Sequence, residues 1–512
     1  MAIPAFAENS EGDVDSHHTY SAFQIFKGDV EGNNIKDFKI SNVDWGSNII
    51  TNSEDFLAQL KAAERIGGQF EGATTAQDVL KVISRWHDSD DDSIAFARFV
   101  CHYLYSNDAN PTYVVRAGSN ALTIPEAKAG YYLFVDTTDF SKDDSYHSYN
   151  SFLLMVTKGN WNVPITPKAE KPTVEKKVYD NPDGTSTGGF GSSADHAINE
   201  KFQFQLTATL PDSTNRAYDY YDKYSVIFHD TLSEGITYDG PYSVVIESND
   251  ITYTITDPSK YTINTDKLDS QNYFEVEIPD VKTCVAGLDL NKGATITVTY
   301  TAHLNEKAYV NTVGGGTDNK NSVYLEYSNN PRISTSLDHT PESEVRVYTY
   351  QLNNTKYRDD DTPGNELAGA GFRLYSGKDC TKEQEIKLKK NITDGTYSPY
   401  FGTDAGDEMF SDEHGQFNVK GLDAGTYYLR ETKTPDDYNA CADKEIVISA
   451  THDVNHVSLS GNLSTTIINK KAGGITLPST GGIGTTIFYV VGGGLMVAAI
   501  VLLVTKKRME NK

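Results

Sequence analysis

Cysteine is scarce in this chain. Cys101, Cys284, Cys380 and Cys441 are all there are in 512 residues. A disulfide framework is thereby excluded as the main reinforcement. Only Cys380 and Cys441 fall in one expected domain, so theirs is the one pairing left open. Positive charge is scarce as well. Lys and Arg number 45 against 71 Asp and Glu, for a net charge of −26. No basic patch stands out before the last few residues, so no nucleic-acid partner is expected. The usual catalytic signatures are missing: there is no G-x-S-x-G elbow, no H-E-x-x-H and no P-loop. The chain is not expected to be an enzyme, and no cofactor or metal is expected. What is present is β-forming. The 32 tyrosines, with abundant Thr and Val and recurrent Gly/Asn/Asp turns, favour β-rich modules. The length has room for about three domains.

The C-terminal end organises the rest. Leu477-Pro478-Ser479-Thr480-Gly481 precedes a glycine-rich spacer, an uncharged apolar run from Ile487 to Val504, and Lys506-Lys507-Arg508. A helix over that run spans roughly 27 Å, close to a bilayer's hydrocarbon core. The basic cluster stays cytoplasmic, which puts everything before Thr480 outside the cell. Pentapeptide, span and basic tail in this order resemble the LPXTG cell-wall sorting signal of Gram-positive surface proteins. The resemblance implies that sortase cleaves between Thr480 and Gly481 and passes the Thr480 carbonyl to an amine. Residues 473–512 are read as this signal, with a transmembrane helix over 487–504. At the other end, Ala5-Phe6-Ala7 fits a signal-peptidase site, and 1–7 is expected to be a signal-peptide remnant.

The first domain is expected over 8–165, as a small β-sandwich with a helical insertion. Three patches carry helical periodicity. Glu54 to Ile66 places Phe56, Leu57, Leu60 and Ala63 on one face. Ala76 to Trp86 places Val79, Leu80 and Ile83 together. Asp92 to Tyr105 carries Ile94, Phe96, Phe99 and Val100. The acidic run Asp88-Ser89-Asp90-Asp91-Asp92 reads either as a cation site or as helix capping and solvated loop, the second being preferred.

Trp161-Asn162-Val163-Pro164-Ile165-Thr166-Pro167-Lys168 follows. It resembles, in shortened form and without its tyrosine, the pilin motif of sortase-assembled pilus backbones. The resemblance implies that Lys168 is the amine that attacks the threonine of the next subunit, with Lys171 as the alternative. A lysine after proline in an extended segment is held out of helix, as that role needs.

The second domain is expected over 166–346 as an antiparallel sandwich. Phe202, Phe204, Leu206, Ala208 and Leu210 share a face, as do Ile296, Val298, Tyr300, Ala302 and Leu304. Lys176, Asp230 and Asn321 interrupt such apolar faces. The surrounding segments resemble the isopeptide-forming fimbrial domain, which implies a bond between Lys176 and Asn321 with Asp230 as catalyst; Lys177 and Asn319 are the alternatives. The physics suits the reaction. Burial lowers an amine's pKa and makes it nucleophilic. A carboxyl group held protonated beside it can polarise the amide and move protons to the leaving ammonia.

The third domain is expected over 347–472. Gly425 to Tyr438 (GTYYLRETKTPDDY) resembles the E-box of the CnaB-type, prealbumin-like pilin domain. The resemblance implies Glu431 as catalyst of a bond between Lys356 and Asn469. Val135 stands where Glu431 would in the first domain, so no such bond is expected there. The fold class is therefore mainly β: three tandem Ig-like or Cna-type sandwiches and a C-terminal transmembrane helix. The reading is a backbone pilin joined head-to-tail through Thr480 and Lys168 by a class C sortase. A housekeeping sortase would attach it to peptidoglycan, with tip or base pilins and host-surface ligands as further partners. The alternative is a wall-anchored monomeric adhesin or accessory pilin.

Overall fold

A computed structural model describes residues 18–33, 37–87, 90–116, 122–123, 128–141, 147–158, 162–163, 171–182, 186–310, 319–461 and 463–472. The signal remnant, Lys168, the pentapeptide 477–481 and the apolar run 487–504 lie outside them. Among the described residues no helix is long and apolar enough to cross a membrane. The chain divides into two compact units. One comprises 1–351 with 420–425 and 448–461; the other comprises 352–419, 426–447 and 462–512.

The first unit opens on one five-stranded sheet. Thr19–Glu31 runs antiparallel to both Lys39–Trp45 and Gly130–Asp136, and Leu153–Thr157 pairs with the latter. Three helices follow as the periodicity predicts: α1 (Ser53–Ala62), α2 (Ala76–Ile83) and α3 (Asp91–Ser106). Thr75 and Asp78 close a reciprocal capping box at the start of α2. Phe56, Leu60, Val79, Leu80, Phe96 and Val100 pack with Phe23 and Phe26 of the first strand. Among the described residues the helical insertion thus covers one face of this sheet, and Leu122–Thr123 pairs with Asn162–Val163 in a separate two-stranded sheet. Gly130–Asp136 and Leu153–Thr157 are buried on both faces. Such strands show no alternation to say what covers each side.

Of the acidic run, Asp91 and Asp92 at the start of α3 pair with arginine, and Asp88 lies outside the described residues. Arg65 pairs with Asp91 at 2.7 Å and Asp92 at 3.3 Å, and Arg216 adds a second partner for Asp91 at 2.5 Å. Asp90 accepts the His87 amide, while no side chain caps the helix itself.

The second part of this unit is a sandwich of a seven-stranded and a six-stranded sheet. The six-stranded sheet contains Thr173–Asp180, Lys201–Asp212 and Lys292–Leu304 as consecutive neighbours running outward from the lysine strand. The seven-stranded sheet pairs Val226–Leu232 with both Tyr273–Ile278 and Lys320–Ser328. Alternation along Lys201–Asp212 and Lys292–Leu304 turns Phe204, Leu206, Ile296, Val298 and Tyr300 into the core between the sheets.

In the second unit, the strand ending at Arg358 runs parallel to Ser464–Asn469, and Gly371–Tyr375 pairs antiparallel with the strand carrying Glu431. Cys380 and Cys441 are free, as are Cys101 and Cys284. Cys380 Sγ lies 3.9 Å from Asp443, so the pairing left open by the sequence is not made.

Candidate functional site

Most lysines keep their ammonium in water, because an unpaired buried charge is costly. Among the described residues two are buried, Lys176 and Lys356, at 2% and 0% exposure. Each meets a buried carboxyl group and a buried asparagine.

Lys176 enters the core because it falls between Val174 and Val178 on a strand of period two, opposite Leu206 in the register. Asp230 and Asn321 reach it from the facing sheet, where Asp230 lies opposite Val323, and Asn321 opposite Leu232. The Lys176 ammonium contacts Asp230 Oδ2 directly. It sits over the Phe204 and Tyr300 rings, at 5.4 and 5.6 Å from their centroids. Desolvation pushes the lysine down to about 8, against the pull of Asp230. The same burial pushes Asp230 up, above the usual carboxylate range. Both shifts favour the neutral pair, an amine and a carboxylic acid.

Tyr300 joins this group, and sequence reasoning missed it. Its hydroxyl lies 3.4 Å from Lys176 Nζ and donates to the Asp230 oxygens at 3.2 Å. Asn321 Nδ2 donates to the same hydroxyl at 2.6 Å. Asn321 Oδ1 is buried with no hydrogen-bond partner. The signal available was a phenol on an otherwise hydrocarbon face, a polar tip that needs a buried partner. The two alternatives separate cleanly. Lys177 pairs with Glu175 at 3.0 Å and is only half-buried. Asn319 is occupied with the Tyr309 backbone on both sides, at 2.7 Å each.

The second group is tighter. Lys356 lies opposite Ile467 and Arg358 opposite Asn469 on adjacent parallel strands. Lys356 and Asn469 are therefore two positions apart on one face. Lys356 Nζ donates to Asn469 Oδ1 at 2.6 Å. Asn469 Nδ2 donates to Glu431 Oε1 at 2.7 Å, and that oxygen is 3.5 Å from the lysine nitrogen. Glu431 is aimed by the Cys441 amide, which donates to Oε2 at 2.9 Å. The Phe372 ring lies 5.3 Å under the ammonium and stacks on Phe417 at 4.2 Å. Desolvation pulls Lys356 below the usual lysine range, opposed by Cys441 and Glu431. Burial pushes the neighbouring Cys441 thiol up to about 11. That thiol beside the trio is a second feature no motif announced.

In the first domain Val135 is buried apolar surface. Lys171 is exposed at the start of the second domain.

Two family matches agree with this geometry. Residues 353–462 match the SpaA-type prealbumin-like fold domain, which contains Lys356 and Glu431. Residues 469–511 match the LPXTG cell wall anchor motif. The chain is thus a surface protein attached to the cell wall and carrying a prealbumin-like domain. No curated protein sequence matches it. Among solved structures it is similar to the T6 backbone pilin of serotype M6 Streptococcus pyogenes. The identity is 16% over 90% of this chain and 97% of that one, with a TM-score of 0.49. It is also similar to a 35 kDa C-terminal fragment of the major pilin of Streptococcus agalactiae (22% identity, 58% and 99% coverage, TM-score 0.42). A third is the major pilin SpaD of Corynebacterium diphtheriae (17%, 70% and 81%, TM-score 0.40).

Proposed function

We propose that the chain is the backbone subunit of a covalent pilus, stiffened by two self-made Lys–Asn isopeptide bonds. The observation that carries this reading is the pair of buried lysine–carboxyl–asparagine groups in a chain with a wall-anchor motif. Left unreacted, each group holds a desolvated amine and amide at an energetic cost. Joined, each becomes one neutral amide.

The chemistry balances within each trio. The neutral lysine nitrogen attacks the asparagine side-chain carbonyl carbon. Glu431 receives the amine's proton at Oε1 and returns it to Asn469 Nδ2 (2.7 Å away). The carbon–nitrogen bond of the amide breaks, ammonia leaves, and Lys356 Nζ is bonded to the Asn469 carbonyl. In the other trio the Asp230 acid passes its proton through the Tyr300 hydroxyl to Asn321 Nδ2 and takes one from Lys176 Nζ in exchange, so it ends as it began. Each reaction occurs once per chain, so the protein turns over nothing. Polymerisation is the work of sortase. The Thr480–Gly481 peptide bond breaks, and the Thr480 carbonyl is joined to Lys168 Nζ of another copy.

The test is mass spectrometry on digested wall material. The expected result has three branched peptides: Lys176–Asn321, Lys356–Asn469, and Thr480 to Lys168 of a second copy. Asp230→Ala and Glu431→Gln should each retain one ammonia per chain. A Thr480 branch to Lys171 would keep the polymer and move the site. Thr480 found only on peptidoglycan would overturn the polymer and leave a singly anchored surface protein. Intact ammonia in the wild-type chain would overturn the crosslinks.

A further inference from the structure

A second group of polar residues, buried or half-buried, takes no part in the proposed crosslinks. His196, Glu200 and Asp423 each bring one ligand atom within 4.8 Å of the others, and Asp180, Asp195 and His452 do the same beside them. All six belong to the first unit.

His196 is the informative residue. It is 0% exposed. Its Nε2 lies 2.7 Å from the Tyr179 carbonyl oxygen, which can only accept, so Nε2 carries the hydrogen. Its Nδ1 is buried with no hydrogen-bond partner and faces Glu200 Oε2 at 3.8 Å. Glu200 is itself held in place, by Asn181 Nδ2 at 2.7 Å and the Ala197 amide at 3.0 Å. Asp195 stands beside it: 1% exposed, with Oδ2 accepting the Tyr350 hydroxyl at 2.8 Å and Oδ1 at 3.8 Å from His452 Nε2. The Asp423 carboxyl sits against Asp195, and the charges that act on it most, those of Asp195 and Glu200, are both negative.

A buried imidazole with its far N–H tied to a carbonyl and its near lone pair turned on carboxylates has the orientation of a metal-ligating histidine. Glu200 and Asp423 each bring a carboxylate oxygen within 4.8 Å of that lone pair, and a divalent cation among the three would offset the repulsion between the two carboxylates. We propose that His196 Nδ1, Glu200 and Asp423 bind a divalent first-row transition ion of the Zn2+ type, with Asp195 alongside. The imidazole and low ligand number select against Ca2+ and Mg2+, which prefer all-oxygen shells. Ligand atoms on tetrahedral zinc stand about 3.3 Å apart, so the 3.8 Å gap between Nδ1 and Oε2 closes only slightly. The backbone already positions Asp423. The Ile198 amide donates to the Gly421 carbonyl at 2.9 Å. Gly421 has φ +84°, and a Cβ there would strike the Ile198 side chain. The ion would pin the 420–425 segment to the end of the second domain.

The test uses the full, untagged chain, stripped with chelator and dialysed against Zn2+ in a competing buffer. Bound metal is measured by mass spectrometry, and Co2+ serves as a spectroscopic probe. The expected result is one ion per chain, with a ligand-field spectrum of a four-coordinate site. Asp423→Asn and His196→Gln should each weaken binding by at least roughly tenfold, while His303→Gln, elsewhere in the domain, leaves it unchanged. Should His196→Gln fail to fold, Asp423→Asn decides alone. Absence of stoichiometric Zn2+, equal uptake by Asp423→Asn, or retention of Ca2+ in its place would overturn the proposal.

Discussion

At the residue scale, the protein does with lysine what proteins rarely do. Lys176 and Lys356 both lose their water, and Lys176 does so without gaining a stable charge partner, because the carboxyl group beside it is itself pushed toward its neutral form. The consequence can be measured in a chain that cannot crosslink. In Asn321→Ala the Lys176 amine remains, held at about 8 in the folded state, against ~10.4 for an unfolded lysine. Between those values the unfolded chain binds the extra proton, so stability rises with pH. Asp230 is shifted upward, and its contribution falls with pH in a lower window, starting from the unfolded value of ~3.9. The Tyr300 phenol, raised well above its ordinary value, lowers stability only above about pH 10, where the unfolded phenol ionises. The urea midpoint of Asn321→Ala, measured against wild type, should therefore climb between about pH 8 and 9.5. A flat or falling midpoint over that interval would contradict a depressed Lys176.

At the scale of elements, sequence patterns located much of the architecture. The three helices of the first domain were legible from their apolar spacing, and α2 also from its cap. Thr75→Ala removes the hydroxyl that accepts the Asp78 amide at 3.2 Å. It should cost about 1 kcal/mol in a denaturant titration of the first unit. The strands of the second domain were legible because one face is dry and the other wet. For the same reason Lys176, Asp230 and Asn321 stood out as polar interruptions. Tyr300 did not, since tyrosine is ordinary on a core face until its hydroxyl is placed. The layer arrangement of the first domain was not legible either. Strands buried on both faces carry no period, and nothing local distinguishes a helix from a second sheet as the cover. His196, Glu200 and Asp423 are brought together by a loop from more than two hundred positions away, which no spacing rule detects.

For the molecule as a whole, two compact units each hold one buried trio. The proposed Lys356–Asn469 bond would close a loop of 113 residues. In loop-entropy terms a crosslink of that span contributes about 5 kcal/mol. Lys356→Met should lower the melting of the second unit by at least roughly 10 °C and leave the first unit's transition in place. Lys176→Met should do the reverse. Calorimetry on the two variants checks this, and a joint shift of both transitions in either variant would count against independent crosslinks.

The parallel pairing of the strands that carry Lys356 and Asn469 has a further result. Once these side chains are joined, the route from the strand entering the second unit to the strand leaving it is one side-chain bridge long. Everything between, including the loops around Cys380, Ile392 and Phe401, becomes a detour that the chain's continuity no longer needs. With the proposed crosslink in place, a protease that cut there would open a loop without severing the path from one strand to the other. Sequence change in those loops would then carry little mechanical risk.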